Sequence, residues 1–266
     1  MVQQDFSTVR HDLIFDKNSF AHLNVVVAGV GGVGSQVALG LASLGLTNFT
    51  IYDPDVVGTE NLGNQAFNRE QVGIAKVEAM QQICSEKSGC IINAHESEFY
   101  GLNSLAQVYF LCVNGLPMRR MIVENIVKHN AHVELIIEVR MGVIHGEVFF
   151  FNPRLNWQLA EWIKRSSGDE TEVGTTACGT KLAVGFVSNG LAQIALAEFV
   201  HWCAKHAPAQ TGDVTRDNDE VIKTLHNAPI SNRVLYSAIP TYTLTEVWIA
   251  PRVNPLIPDD DELWFE

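Results

Sequence analysis
The chain has 266 residues, 47% of them hydrophobic, which supports a buried core over most of the length and excludes a disordered chain. Its formal net charge of -12 argues against a surface built for nucleic-acid backbones, although one nucleotide in a local pocket remains compatible. Five cysteines without a CxxC pair argue against a disulfide framework or a four-thiolate zinc site.

Taken in chain order, residues 1–16 are polar and interrupted by charges, unlike a signal peptide. No apolar run approaches the ~20 residues of a membrane helix, so a cytoplasmic protein is expected. Residues 24–28 form a short Val-rich run that fits a strand buried on both faces. Glycines cluster at 29–34, helical spacing follows over 35–44 with Gly45 as its cap, and 48–52 reads as the next strand. Residues 53–71 read as a polar loop and 73–85 as a helix. Further strands are predicted at 107–113, 132–139 and 145–151, with a helix at 119–129 between the first two. Residues 155–177 begin amphipathic and become a small, polar loop. A long apolar helix follows at 181–202, then a loop at 207–219, a strand pair at 234–239 and 242–249, and an acidic tail at 259–266.

Gly29, Gly31, Gly32 and Gly34 form a GxGGxG turn between a strand and a helix. Such a turn lets the backbone approach a phosphate, and the helix start offers free N–H groups and the positive end of its dipole. Asp53 ends the second strand about 20 residues on, where a Rossmann fold places the carboxylate that holds a ribose hydroxyl. ATP and NAD both remain open at this point.

The next stretch separates them. It reads Asp53-Pro54-Asp55-Val56-Val57-Gly58-Thr59-Glu60-Asn61-Leu62-Gly63-Asn64-Gln65, and then Gly73-Ile74-Ala75-Lys76. A dehydrogenase has no need of this polar excursion followed by a helical lysine, whereas a nucleotidyl transferase must hold a triphosphate while its α-phosphate is attacked. Here the sequence resembles the ThiF/MoeB/HesA family and the adenylation domains of ubiquitin-activating enzymes. That family carries GxGGxGS, then DxDxVxxxN-L-x-R-Q, then G-x-x-K, and the resemblance covers about residues 19–151, more weakly to 201.

The resemblance implies adenylyl transfer from ATP with Mg2+ to the C-terminal carboxylate of a ubiquitin-like or sulfur-carrier protein ending in Gly-Gly. It places Gly31 to Ser35 against the phosphates, Asp53 on the ribose, Asp55 elsewhere among the nucleotide-binding residues, and Asn61 and Gln65 along the α-phosphate and acceptor. Lys76 would stabilise the transferred group, and Arg10 would reach into the site of a second subunit of a homodimer. Cys178, in a crossover loop before the long helix, would take the acyl group as a thioester or acyl-disulfide. A thiol at a helix start is disposed to ionise. Arg140 and Gly142 match a segment that forms the groove for the acceptor tail.

Two positions depart from the family pattern. Asn64 stands for an arginine and Asn114 for an aspartate that helps hold Mg2+, with Arg69 available to restore positive charge. These departures place nucleotide binding ahead of turnover as an expectation. Cys84 and Cys90 are read as flanking a turn at the outer edge, and with Cys112 and Cys203 as structural. No histidine spacing suggests a metal site of the protein's own.

The expected fold is α/β, a Rossmann-like, doubly wound, mostly parallel sheet with added antiparallel strands in the C-terminal half. One domain is expected over 1–266: an arm at 1–23, a nucleotide-binding core at 24–151, a crossover region at 152–180, and a terminal helix, strands and tail at 181–266. The competing readings are a non-catalytic member that binds nucleotide or a ubiquitin-like protein, an NAD-dependent oxidoreductase, and an adenylase acting on an antibiotic precursor peptide. Nucleic acid and membrane are not expected as partners.

Overall fold
Alternation along the central strands builds the molecule. In β1 (Val25–Ala28), Val25 and Val27 face one layer of helices, and Val26 and Ala28 face the other. The same period of two runs through β4 (Val108–Leu111), β5 (Leu135–Met141) and β6 (His145–Phe151). The first layer is α1 (Gly32–Ser43), α2 (Lys76–Ser88) and α5 (Gly185–His206); the second is α3 (Leu116–His129) and α4 (Asn156–Ser166). The computed structural model describes residues 6–8, 10, 15, 17–18, 20–167, 183–206, 227–238 and 241–248.

With β2 (Asn48–Tyr52), β3 (Ile91–His95), β7 (Arg233–Ala238) and β8 (Thr241–Glu246), the sheet has eight strands in the order β3-β2-β1-β4-β5-β6-β7-β8. The pairs from β3 to β5 are parallel, and those from β5 to β8 are antiparallel. This is the mixed α/β sheet expected from the sequence. The chain winds outward from β1 to β3, then returns to β4 on the other side of β1. That reversal opens a crevice at the carboxyl ends of β1 and β4, where α/β sheets of this kind take their ligands.

Several boundaries moved for physical reasons. α1 begins at Gly32, so two of the bend glycines lie in its first turn, and Gly45 follows its end at φ +87. α2 begins at Lys76, because Gly73 has φ +90 and Val56 pairs with Ala75 in an antiparallel bridge. β3 was not foreseen. It is an edge strand, with Ile91, Asn93 and His95 exposed and Ile92 alone fully buried, so its apolar signal is thin. Cys84 and Cys90 do not lie at an outer edge: both are buried in the core that α1 and α2 cover. Along the middle of α5 the exposed positions Asn189, Gln193 and Ala197 recur every four residues, a polar and small outward stripe on an otherwise apolar helix. Among the described residues no helix is long and apolar enough to cross a membrane.

Candidate functional site
The glycine bend is shaped by contact on one side and by vacancy on the other. Gly29, at φ +86, donates its N–H to the Tyr52 carbonyl at 2.8 Å, and a Cβ there would lie 2.8 Å from the Cys112 carbonyl oxygen. A Cβ on Gly34 would overlap the Gly29 carbonyl oxygen, so α1 rests directly on the bend. A Cβ on Gly31 would meet nothing within 4 Å. The first bond of α1 runs from Ser35 N–H to the Gly31 carbonyl at 3.0 Å. The amides of Gly32, Val33 and Gly34 therefore precede the helical ladder and face the crevice end of the dipole. Open space beside unpaired amides is the geometry of an anion cradle.

Asp53 brackets that bend. Its Oδ2 accepts the Val30 N–H at 2.6 Å, and its Oδ1 accepts the Asp55 N–H at 2.9 Å. Lys76 opens α2, where its N–H donates to the Asp55 carbonyl at 2.9 Å. Its ammonium lies 2.7 Å from Asp55 Oδ2 and 3.8 Å from Asp53 Oδ1. The Lys76 side chain is 8% exposed and that of Asp55 is 65% exposed, so the cation is turned inward and held by a carboxylate on the rim. Burial raises the Asp53 pKa above its ordinary value, against the opposing pull of Lys76 and the two backbone N–H groups.

The loop above the bend is pinned by its own amides. Asn61 Oδ1 accepts the Gly58 N–H at 2.8 Å, and the Asn61 carbonyl accepts from the Gln65 N–H at 3.0 Å. Ser35 is buried, and its hydroxyl accepts the Ala66 N–H at 3.0 Å. Ser188 of α5 donates to the Asn64 carbonyl at 3.0 Å. The buried Asn64 Oδ1 and Gln65 Oε1 have no partner among the described residues. A buried orphan acceptor costs about 1–3 kcal/mol until something donates to it. These two mark the loop as a place for a ligand or water.

A second cluster gathers around Glu138; the sequence reading named only Arg140 of it, as part of an acceptor groove, and the fold engages that guanidinium with Glu138, the Arg165 carbonyl and Ser166. Glu138 is fully buried in the middle of β5. It accepts from Arg119 Nη1 at 2.5 Å, from Arg140 Nε at 2.8 Å and from the Trp162 indole at 2.9 Å. Arg140 also stacks over the Phe149 ring, 4.3 Å from its centroid. The sequence signal was a glutamate in the otherwise apolar strand Leu-Ile-Ile-Glu-Val, which demands a buried partner. Burial pushes the Glu138 carboxyl up, but the two guanidinium groups and the indole outweigh it and hold its pKa below the ordinary 4.5. A carboxylate with a depressed folded pKa stabilises the fold above its unfolded pKa, and this contribution is lost as pH falls through the lower folded value. The difference in thermal midpoint between wild type and Glu138→Gln is therefore expected to be widest above pH 4.5 and to close in more acidic buffer. A pH-independent difference in calorimetry would contradict this assignment.

The other candidate residues are scattered. Asn114 is exposed just beyond β4, two residues past the Cys112 carbonyl that abuts Gly29. Arg69 is exposed on a short 3-10 turn, Arg69–Gln71. Arg10 is exposed on the N-terminal arm, whose Thr8 packs against Gly45 at the end of α1 remote from the bend. The fold thus does not bring Arg10 to its own chain's crevice. Cys178 and residues 259–266 lie outside the described residues. Burial pushes the Cys112 thiol up to about 12. Among the described residues no group of three His, Cys, Asp or Glu side chains is disposed to hold a metal ion. A separate groove of about 510 Å³ lies over β2 and β3, lined by Thr50, Tyr52, Asn93, His95 and Ser104, and includes neither the bend nor Lys76.

Comparison with known proteins bears on the family and the fold. Adenylyltransferase and sulfurtransferase MOCS3-2 of Zea mays is 33% identical over 125 residues, 42% of this chain and 26% of that protein. Ubiquitin-like modifier-activating enzyme 5 of Arabidopsis thaliana is 31% identical over 77 residues, 29% of this chain and 18% of the relative. These matches span a minor part of the curated relatives' own length. Among solved structures, E. coli MccB with ATP superposes with a TM-score of 0.61 at 13% identity, covering 88% of this chain and 65% of MccB, which is a likeness of fold. The model of the ThiF family matches residues 15–234, from the arm through the sheet to β7, and with most of its length so matched the chain belongs to the ThiF family.

Proposed function
We propose that this protein adenylates a carboxylate with ATP, and that the carboxylate is the C-terminus of a ubiquitin-like or sulfur-carrier protein. The observation that carries the reading is the buried Lys76 ammonium, set beside the carboxylate that brackets an open glycine bend.

ATP supplies an electrophilic α-phosphorus, to which the carboxylate is joined as pyrophosphate leaves. The residues present fit such a ligand, with vacant space at Gly31 and unpaired amides at the start of α1. The α1 amides bind the phosphates, and Asp53 orients the ribose with its remaining lone pairs. Lys76 exchanges its exposed Asp55 partner for phosphate oxygens, which carry more charge, and holds the charge that develops on the transferred group. Asn61 and Gln65 orient the acceptor end. A magnesium ion carried with the triphosphate would find oxygen ligands at Asn114 and Asp55. Arg10 acts in the site of a second subunit, and Cys178 takes the activated acyl group in a later step. One continuous domain and a homodimer complete the reading.

Support for the acceptor class comes from relatives named as an adenylyltransferase and sulfurtransferase and as a ubiquitin-like modifier-activating enzyme. The fold likeness to MccB, a Microcin C7 biosynthetic enzyme solved also with MccA, keeps a peptide acceptor as an alternative. The neutral Asn64 and Asn114 favour a second reading, a nucleotide or partner binder without turnover. Exchange of labelled pyrophosphate into ATP, with candidate Gly-Gly carriers present, separates the two. Adenylation predicts acceptor-dependent exchange, and binding without exchange for every carrier supports the second. In a thermal-shift assay ATP is expected to raise the midpoint, by about 2.7 kcal/mol of stabilisation at a hundredfold excess over Kd. A shift with NAD and none with ATP would overturn both readings.

A further inference from the structure
The Glu138 cluster joins the turn that follows β4, beside the glycine bend, to the end of α4. Arg119 Nε and Nη2 both donate to the Val113 carbonyl, at 2.9 and 2.6 Å, directly before Asn114 and Gly115. Gly115 has φ +87 and caps α3, whose first bond runs from the Arg119 N–H to the Gly115 carbonyl at 3.2 Å, so Arg119 reaches this turn through both its backbone and its side chain. The Cys112 N–H donates to the Ala28 carbonyl at 2.8 Å, which places the clamped turn against the glycine bend. On the other side, Arg140 Nη1 donates to the Arg165 carbonyl at 3.1 Å and Nη2 to the Ser166 hydroxyl at 2.5 Å. These residues end α4, shortly before residues 168–182 and Cys178. One buried carboxylate therefore orients two guanidinium groups, each of which holds a different carbonyl.

We infer that Glu138, Arg119 and Arg140 are positioning residues: Glu138 fixes the Val113–Gly115 turn at the nucleotide crevice and ties its placement to the end of α4. The inference rests on the adenylation reading and deepens it. Arg119 sits in the first turn of α3 and Arg140 in the last residues of β5, so both guanidinium groups come from rigid elements. Removing the Glu138 charge leaves two arginines facing one another beneath the turn, and the Val113 carbonyl loses its fixed donor. A small displacement at such a turn is costly, because groups misplaced by about 1 Å lose up to about a hundredfold in rate.

The experiment measures ATP Kd by calorimetry and ATP KM by pyrophosphate exchange in wild type, Glu138→Gln, Arg119→Lys and Phe199→Leu. Phe199 is fully buried on α5, in the opposite layer from the cluster, and its variant controls for lost stability alone. Glu138→Gln and Arg119→Lys are expected to slow pyrophosphate exchange by about tenfold or more and to raise the Kd and KM for ATP, and Phe199→Leu to unfold earlier with unchanged Kd. Hydrogen exchange is expected to rise in both 112–118 and 162–167 in Glu138→Gln. Wild-type affinity in both cluster variants, or equal weakening in Phe199→Leu, overturns the inference and leaves the adenylation reading standing. A wild type that binds no ATP overturns that reading and this one with it.

Discussion
Lys76→Ala is expected to slow ATP-pyrophosphate exchange by about 10²–10³-fold, the usual loss when a preorganised donor to developing charge is removed. The lysine is inward and nearly dry, so its charge acts in a medium that screens it poorly. It is the first residue of α2, where alanine is well tolerated, and it buries its stem without anchoring the core. The variant should therefore fold. Lys76→Arg is not expected to restore activity, since a planar guanidinium does not fit a site shaped around a single ammonium 2.7 Å from Asp55. Loss of Lys76 also removes the cation that opposes the upward push of burial on Asp53. The Asp53 carboxyl should then titrate higher still, and any residual nucleotide affinity should rise toward alkaline pH as Asp53 ionises. An exchange rate in Lys76→Ala within about threefold of wild type, less than about 1 kcal/mol of barrier, would contradict the assignment.

Two glycines of the same bend should fail in opposite ways. Gly34→Ala drives a Cβ into the Gly29 carbonyl oxygen, a backbone atom that cannot rotate aside. α1 must lift from β1, at about 3 kcal/mol, which lowers the thermal midpoint by roughly 6–10 °C. Gly31→Ala points a methyl into the open crevice, where nothing lies within 4 Å. It is expected to cost about 1 kcal/mol or less in stability and yet weaken ATP binding by about tenfold to a hundredfold, because the methyl stands where phosphate oxygens must approach the amides. Calorimetry with and without ATP reads both effects. A Gly31→Ala protein with wild-type ATP affinity would mean that the vacancy is not a phosphate site.

The glycine bend, β1, β2 and Asp53 were legible because each carries a strong local signal: a buried Val run, glycines and a carboxylate at a fixed distance. The strand pair expected at 234–239 and 242–249 is present as the antiparallel hairpin of β7 and β8. β3 was not legible, because an edge strand buries one face of a few residues. Lys76 could be named from its motif, but its inward turn depends on Asp55, held by a backbone bond across the Val56–Ala75 bridge. Ser35 was expected against the phosphates, and the fold gives its hydroxyl to the Ala66 amide, a bond between residues far apart in sequence. Glu138 was overlooked for a related reason. Its partners come from α3, β5 and α4, and no spacing along one element brings Arg119, Arg140 and Trp162 together.

The most direct measurement is the amide spectrum of the labelled protein as ATP is added. The largest shifts are predicted at Gly31, Gly32, Val33 and Gly34, with accompanying changes at Lys76 and Asp55. Shifts confined to the groove over β2 and β3, around Thr50, Asn93 and Ser104, with the bend unmoved, would contradict the account.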